Sequence, residues 1–220
     1  MPELVLQDVT KRYGQGPNVI DQLNTVFTSG SGTGLVGPNG SGKTTLLRLL
    51  AVLSFPTSGK ITFDGLNIHE HPYEYLSYVG VVPDGPDVPH YLTAVELLEY
   101  VLRAHGKWSD EAPAHIQLLL DRVLLDERRD TLLGTYSSGM FAKTQIAAAL
   151  ITEPEVLLMD EPFRALDEAT VQAVIELLTE YKDRGGILIL ASHIRSTLEA
   201  VCEGYLDFER RGQVGAVSSY

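Results

Sequence analysis

One short segment of the sequence has the residue types and spacing of a phosphate-binding loop. Residues 37–44 are Gly-Pro-Asn-Gly-Ser-Gly-Lys-Thr, which matches the pattern GxxxxGKT. The glycines allow consecutive backbone N–H groups to turn toward a phosphate, Lys43 reaches the β- and γ-phosphates, and the Thr44 hydroxyl binds Mg²⁺. The segment therefore predicts a nucleoside triphosphate site in which Lys43 also has a catalytic role. The predicted nucleotide-binding residues here are Asn39, Gly40, Ser41, Gly42, Lys43, Thr44 and Thr45.

Two adjacent carboxylates supply the second part of such a site. Asp160 and Glu161 directly follow the apolar run 156–159. At the end of a buried strand, Asp160 can hold Mg²⁺ through water, and Glu161 can polarise the attacking water. Paired acids after a strand are also ordinary helix-start chemistry, but the phosphate loop favours the catalytic interpretation. We predict Asp160 as a metal ligand and Glu161 as a catalytic residue.

The segments before these residues predict strands of a buried parallel sheet. The runs 34–36, 156–159 and 187–191 are continuous stretches of apolar residues and glycine, as expected for strands covered on both faces. Each run ends at glycine-rich or polar residues, which are Ser192 and His193 for the third run. Because ligands bind beyond the carboxyl ends of strands in open α/β sheets, these three ends predict one site.

The remaining patterns predict an antiparallel layer and a helical insertion. Partly alternating residues in 4–9 and 19–27 predict two antiparallel strands. Thr93 and Glu96 have the spacing of a capping box, and apolar residues at helical spacing follow over 116–124. These segments predict a helical subdomain that interrupts the sheet domain.

The predicted fold class is α/β, with a P-loop NTPase core, an antiparallel β subdomain and an inserted α-helical subdomain. A single domain spans residues 1–220. Its core covers about 1–83 and 153–220, and its helical subdomain covers about 84–152. A helix over 45–53 is predicted after the phosphate loop, and another after Asp167.

Length and charge restrict the class of protein. The chain has 220 residues, one cysteine and a formal net charge of −12, which excludes a disulfide framework and a CxxC zinc cluster. The acidic balance argues against nucleic acid as the main partner, since phosphate neutralisation needs a basic surface. No stretch reaches the roughly 18–20 apolar residues of a membrane-spanning helix, and the N-terminus lacks the basic and apolar regions of a leader peptide. These features predict a soluble, cytoplasmic protein.

The order of these motifs resembles that of the nucleotide-binding subunits of ABC transporters over nearly the whole chain. Tyr13, in Thr-Lys-Arg-Tyr-Gly, is similar to the aromatic residue that stacks on adenine in this family. Residues 135–140, Thr-Tyr-Ser-Ser-Gly-Met, occupy the place of the signature LSGGQ. Residues 164–167, Arg-Ala-Leu-Asp, match the D-loop, and His193 matches the histidine that contacts the γ-phosphate. Taken alone, Tyr13 and His193 are typical of ordinary surface residues, and their spacing to the other motifs favours these roles.

The resemblance implies a head-to-tail dimer, formed by two copies of the chain or by two different chains. Ser137, Ser138 and Gly139 precede a helix, so their hydroxyls and free amides can bind an anion. In the family this signature faces the phosphate loop of the other subunit, with two ATP molecules between them. The resemblance also implies a permease on a separate membrane chain, which places this chain at the cytoplasmic face of the membrane. The face formed by 84–91 and the helical subdomain is expected to dock that permease.

Three residues depart from the family pattern. Asp84 stands where a glutamine usually senses Mg²⁺, and its carboxylate binds the metal more strongly but adds negative charge near the γ-phosphate. We predict Asp84 as a metal ligand. Met140 replaces the signature glutamine, and Arg164 replaces a common D-loop serine, which predicts an ion pair across the dimer. The acidic residue at 84, the helix start at 92–98 and the Tyr-Ser-x-Gly-Met signature resemble exporter ATPases of the drug, antibiotic-resistance and polysaccharide type.

Three functional hypotheses follow. The leading one is an ATPase subunit of a multi-component exporter that uses ATP and Mg²⁺, with Glu161, His193 and Lys43 as catalytic residues. An alternative is a soluble, non-transport ABC-type ATPase acting on nucleic acid or ribosomes, although such proteins typically have two cassettes, a coiled-coil insertion or zinc-binding cysteines. The third is a nucleotide-binding regulator in which Asp84 prevents hydrolysis.

Overall fold

The chain forms two sheets, with one helix between them and the other main helices on the far side of the larger sheet. The computed structural model describes residues 1–85, 88–125, 128–210 and 213–217. In chain order its strands are β1 Glu3–Arg12, β2 Asn18–Thr28, β3 Gly32–Val36, β4 Ser58–Phe63, β5 Leu66–Asn67, β6 Val79–Val82, β7 Val156–Asp160, β8 Ile187–Ala191, β9 Gly204–Arg210 and β10 Gln213–Val217. Its helices are α1 Lys43–Leu50, α2 Pro72–Leu76, α3 Ala94–Ala104, α4 Ala112–Arg122, α5 Ser138–Leu150, α6 Glu168–Asp183 and α7 Arg195–Val201.

The smaller sheet is antiparallel and begins with the two strands that the sequence predicts. β1 pairs antiparallel with β2, with Leu4 opposite Phe27. Alternate residues of β1, Leu4 and Leu6, are buried, whereas Val5 between them is only partly buried, as the period of a strand requires. β4 and β5 extend the sheet to the order β2-β1-β4-β5. The predicted antiparallel pair is therefore confirmed, and the structure adds two strands to it.

The larger sheet has the order β10-β9-β3-β8-β7-β6, and every neighbouring pair except β10 with β9 is parallel. Every residue of β7 and β8 is buried. Leu157 and Met159 pack in the core with the helices of the insertion, while Val156 and Leu158 pack in the core with α1 and the smaller sheet. Burial on both faces explains why these strands are continuously apolar, and their predicted parallel pairing is confirmed.

The helix after the phosphate loop differs from the prediction at both ends. It begins at Lys43 and ends at Leu50, whereas the sequence predicts 45–53. The backbone enters the helix directly after Gly42, which has a φ of 123°, and it leaves the helix before Val52, which has a φ of 56°. Both ends are set by backbone conformations that the apolar periodicity does not indicate.

The predicted capping box at the start of the insertion is confirmed. Thr93 Oγ1 accepts a hydrogen bond from the Glu96 backbone N–H, and the Glu96 carboxylate accepts one from the Thr93 backbone N–H. The next predicted helical run continues too far, because α4 ends at Arg122 and Leu124 has a φ of 56°. Leu124 is consequently 45% exposed instead of packed. The bounds 84–152 of the helical subdomain stay a prediction.

The helix predicted after Asp167 is α6. The Asp167 carboxylate accepts a hydrogen bond from the Thr170 backbone N–H at 2.9 Å, and α6 ends at Asp183, before the glycine pair 185–186. Within the ranges that the structure describes, no helix has both the length and the apolar character needed to cross a membrane.

A glycine in β6 allows this strand, which leads to Asp84, to lie against α5. A Cβ atom on Gly80 would lie 2.2 Å from the Ala149 carbonyl oxygen. We expect Gly80→Ala to destabilise the fold by about 1–3 kcal/mol because the backbone has to shift. Denaturant unfolding measures this loss. Gly204→Ala is the matched control, since no heavy atom lies within 4 Å of the new Cβ, and equal losses in both variants would contradict the packing explanation.

Candidate functional site

The carboxyl ends of three adjacent strands bring the predicted phosphate and metal residues together. β3 pairs with β8, and β8 pairs with β7, so the phosphate loop and the two acids share one edge of the sheet. A pocket of about 150 Å³ opens at this edge. It is smaller than the roughly 300–1,000 Å³ of typical ligand pockets, and it suits terminal phosphates and a metal better than a whole nucleotide. The pocket is lined by Asn39, Gly40, Gly42, Lys43, Thr44, Thr45, Asp84, Asp160 and Glu161.

The backbone of the phosphate loop depends on its glycines. Gly40 has a φ of 75° and Gly42 a φ of 123°, values that residues with a side chain rarely adopt. A Cβ atom on Gly42 would also lie 3.1 Å from the carbonyl oxygen of Val19. The loop therefore needs glycine at position 42 both for its conformation and for its close approach to β2.

The loop buries two polar groups, and one of them, Lys43, favours an anion as the ligand. The Lys43 ammonium donates to the carbonyl oxygens of Gly37 at 2.7 Å and of Pro38 at 3.0 Å, and the side chain is 7% exposed. Ser41 does not line the pocket, and its Oγ is buried without a hydrogen-bond partner. Buried polar groups are normally paired, but because Ser41 does not line the pocket, only the Lys43 ammonium favours an anion there.

The oxygen atoms beside the loop fit a magnesium ion. Burial raises the pKa of the Asp160 carboxyl, a hydrogen bond with Thr44 opposes this rise, and the carboxylates of Asp84 and Glu161 reinforce it. A divalent cation would favour the ionised form of Asp160. Within the described ranges, no three His, Cys, Asp or Glu side chains are arranged to hold a metal by themselves. Mg²⁺ here would complete its shell with phosphate and water, as it usually does.

Glu161 and His193 form a hydrogen-bonded pair next to these oxygens. Glu161 Oε2 lies 2.7 Å from His193 Nδ1 and accepts a second bond from the His193 backbone N–H at 3.2 Å. Glu161 has a left-handed backbone conformation, with a φ of 51°. Its side chain is 12% exposed, whereas that of His193 is 61% exposed. A shielded proton acceptor thus lies beside a group that orients it, and the catalytic roles of both residues stay predictions.

Tyr13 lies in the turn before β2, which adjoins the phosphate loop. β2 begins at Asn18, and Val19 lies against Gly42. The Tyr13 side chain is 51% exposed, and the Lys11 ammonium lies 4.8 Å from the centre of its ring. Lys11 is not among the residues predicted from the sequence, although its spacing of two residues from Tyr13 along an extended segment was a usable signal. The exposed part of the ring remains available to a base.

Removing this ring tests whether it supports the base. We expect Tyr13→Ala to weaken nucleotide binding by about 1–3 kcal/mol, the range for stacking of a base on an aromatic residue. Equilibrium titration with a fluorescent ADP measures the affinity. Tyr73→Ala removes a tyrosine that is 92% exposed and is expected to leave the affinity unchanged. An unaltered affinity in Tyr13→Ala would assign Tyr13 a purely structural role.

The signature residues lie at the start of α5, outside the pocket. Ser137 caps the helix, since its Oγ accepts a hydrogen bond from the Met140 backbone N–H at 3.2 Å. Ser137 and Ser138 are exposed, and none of the residues 135–140 lines the pocket. Ser137, Ser138 and Gly139 are therefore accessible to a group outside this chain, and their predicted contact with nucleotide remains a prediction.

Arg164 contacts a residue of its own chain. Its Nη1 donates to Asp84 Oδ1 at 3.4 Å, whereas the sequence analysis predicts an ion pair across the dimer. The contact forms because β6 pairs with β7, so that the loop after β6 lies beside the D-loop after β7. Gln145, whose Nε2 donates to the Gly85 carbonyl oxygen at 2.5 Å, is likewise not among the residues predicted from the sequence. A glutamine among the apolar residues of α5 was the available signal.

A larger cleft, of about 610 Å³, lies at the opposite edge of the sheet. Its lining includes Glu153 and Glu155 before β7 and the pair Gly185 and Gly186 before β8. No residue predicted to bind nucleotide or metal lines it. The predicted phosphate-binding and metal-binding residues therefore lie at the carboxyl edge and not in the larger cleft.

The chain is similar to known proteins over most of its length. The family model described as ABC transporter matches residues 20–164. The ABC-type transporter ATP-binding protein EcsA of Bacillus subtilis is 30% identical over 206 residues, which cover 94% of this chain and 83% of the relative. The Nod factor export ATP-binding protein I of Cupriavidus metallidurans is 33% identical over 199 residues, which cover 90% of this chain and 65% of the relative. A solved structure of an ATP-binding subunit of an ABC transporter has a TM-score of 0.91 at 28% identity and covers 98% of this chain and 89% of its own. The predicted fold class is confirmed.

Proposed function

The chain belongs to the ABC transporter family as an ATP-binding ATPase subunit, and from this premise we propose that it drives an exporter as one half of a head-to-tail dimer. The dimer is inferred from one observation. The signature residues Ser137 and Ser138 are exposed and lie outside the phosphate pocket of their own chain. Two half-sites of this kind become complete when each pocket receives the signature of the other protomer. Two identical chains, or this chain and a different ATPase subunit, satisfy the geometry equally.

The predicted catalytic and metal-binding residues can then be given separate roles. Lys43 neutralises charge on the β- and γ-phosphates, and the helix N-terminus beside it adds its dipole. Thr44, Asp84 and Asp160 would hold Mg²⁺, which would supply positive charge to neutralise the phosphates. Glu161 accepts a proton from the attacking water, and His193 orients that carboxylate through the 2.7 Å contact between Nδ1 and Oε2.

A separate membrane permease is the partner that this function requires. We place the chain at the cytoplasmic face of the membrane, with the permease docked on the face formed by 84–91 and the helical subdomain. Residues 86 and 87 of that face lie outside the described ranges. Nearby, Tyr91 is 76% exposed and Tyr100 is 64% exposed, and exposed aromatic residues are typical anchors of protein interfaces.

Export is the direction that the relatives favour. The relative from Cupriavidus metallidurans is named for Nod factor export, and the exporter-like departures at Asp84 and in the signature point the same way. The alternative of an ATPase acting on nucleic acid or ribosomes is disfavoured, because the matching relatives are named as transporter subunits. A non-hydrolysing regulator is disfavoured as well, because Glu161 and His193 already form a pair suited to hydrolysis.

Purification of the tagged chain from detergent-solubilised membranes tests the transport role. We expect an integral membrane protein to co-purify in a fixed ratio with this chain. Ribosomes or nucleic acid in that fraction, with no membrane protein, would favour the alternative function instead. Size-exclusion chromatography with light scattering tests the dimer, and only monomer at saturating Mg-ATP would contradict the shared site.

A further inference from the structure

Two departures from the family pattern meet in this structure. Asp84 stands in place of a glutamine, and Arg164 stands in place of a serine. The two side chains form an ion pair, with Arg164 Nη1 3.4 Å from Asp84 Oδ1. The residues are 80 positions apart in the chain, so local sequence does not explain why an added carboxylate faces an added guanidinium.

The charges of the pocket explain why Asp84 needs a counter-ion. Asp84, Asp160 and Glu161 all line it, and Lys43 is the single cation among the lining residues. Asp84 and Asp160 line the same pocket, so the Asp84 carboxylate lies near the predicted metal-binding oxygens. A nucleotide brings further negative charge to the same place. Arg164 supplies the positive charge that offsets the extra carboxylate before a metal arrives.

The ion pair between Arg164 and Asp84 is weak enough to separate. The side chain of Arg164 is 66% exposed and that of Asp84 is 49% exposed, and one contact at 3.4 Å joins them. Exposed pairs of this kind contribute little free energy. A divalent cation beside Asp160 attracts the Asp84 carboxylate with twice the charge of a guanidinium. Separating Arg164 from Asp84 therefore costs little free energy, and a bound metal ion would gain the Asp84 carboxylate as a ligand.

Both partners of the pair are also connected to the signature helix. The carbonyl oxygen of Gly85, next to Asp84, accepts a hydrogen bond from Gln145 of α5 at 2.5 Å. Ala165, next to Arg164, packs so closely on the start of α5 that a Cβ atom on Gly139 would lie 2.7 Å from its carbonyl oxygen. Both residues of the pair therefore lie next to backbone segments that contact α5.

We propose that Arg164 is a positioning residue that holds the Asp84 carboxylate in the nucleotide-free chain and competes for it with the metal of the bound nucleotide. Loading of metal and nucleotide transfers Asp84 from Arg164 to the metal and releases the Arg164 side chain. Arg164 thereby sets how much Mg²⁺ the site requires. This inference rests on the proposed nucleotide site and deepens it.

The test measures metal binding without turnover. Mn²⁺, a paramagnetic substitute for Mg²⁺, is titrated into the full chain saturated with ADP, and free Mn²⁺ is followed by electron paramagnetic resonance. We expect Arg164→Ala to tighten Mn²⁺ binding roughly twofold to fivefold, the range for loss of an exposed pair. Asp84→Asn is expected to weaken Mn²⁺ binding because a charged ligand is lost. In the double variant, the change at Arg164 is expected to have no further effect, since no carboxylate remains to be released.

Matched variants separate the pair from general charge effects. Arg164→Lys keeps the charge and is expected to remain near wild type. Arg103→Ala breaks an exposed ion pair with Glu99 that does not line the pocket, and it is expected to leave the Mn²⁺ affinity unchanged. Equal effects of Arg164→Ala with and without Asp84 would overturn the proposal, as would weaker Mn²⁺ binding in Arg164→Ala. A wild-type chain that binds no nucleotide would instead overturn the proposed function itself, so the two failures are distinguishable.

Discussion

Replacement of Glu161 by glutamine is expected to lower ATP turnover by about 10²–10⁴-fold, the usual contribution of a general base. The amide cannot accept the proton of the attacking water, but its oxygen can still accept the hydrogen bond from the His193 ring. The change is close to isosteric, and it leaves Lys43, Thr44 and Asp160 in place. ATP binding is therefore expected to persist in Glu161→Gln while hydrolysis nearly stops.

This separation of binding from hydrolysis has a consequence for assembly. If ATP joins two protomers and hydrolysis releases them, Glu161→Gln accumulates as a dimer in Mg-ATP, whereas the wild type returns to monomer. Phosphate release and light scattering on one sample measure the two effects together. Glu153→Gln, the same change in the segment before β7, is the control and is expected to keep wild-type turnover. Full turnover in Glu161→Gln would require a different base.

The parts of the fold that could be predicted are those with a local cause. The strands β7 and β8 are apolar at every position because both faces are buried, and the loop before Lys43 needs its glycines for backbone conformation. Capping by Thr93 also acts over three residues only. Such patterns depend on residues close together in the chain, so they can be predicted without knowledge of the fold.

The parts that could not be predicted depend on distant segments or on single backbone angles. Arg164 meets Asp84 only because β6 and β7 are neighbours in the sheet. The end of α4 is set by the positive φ of Leu124, an apolar residue that continues the helical periodicity. β4 begins with Ser58, and its first half is exposed. Because this half has no apolar run, the sequence pattern does not predict the strand. These features required the tertiary structure.

Replacement of Lys43 by alanine is expected to reduce both affinity and turnover, in contrast to Glu161→Gln. A hydrogen bond to a charged group contributes about 1.5–3 kcal/mol, which corresponds to a roughly 10- to 150-fold loss of nucleotide affinity. Turnover falls further, because the charge that builds up on the transferred phosphoryl group loses its nearest cation. Titration with fluorescent ADP and phosphate release at saturating ATP measure the two losses separately.

Lys43→Ala could weaken nucleotide binding in two ways, by disturbing the loop or by removing a phosphate contact. Its ammonium donates hydrogen bonds to the carbonyl oxygens of Gly37 and Pro38. Alanine therefore removes two hydrogen bonds that support the loop as well as the predicted phosphate contact. Thermal unfolding without nucleotide detects the first effect, and Lys60→Ala, at an exposed lysine of β4, controls for the loss of one surface charge. A variant that unfolds like wild type but binds ADP weakly assigns the loss to the phosphate contact. Wild-type affinity would mean that the ammonium supports the loop alone, and the anion would then be held by backbone N–H groups and the dipole of α1.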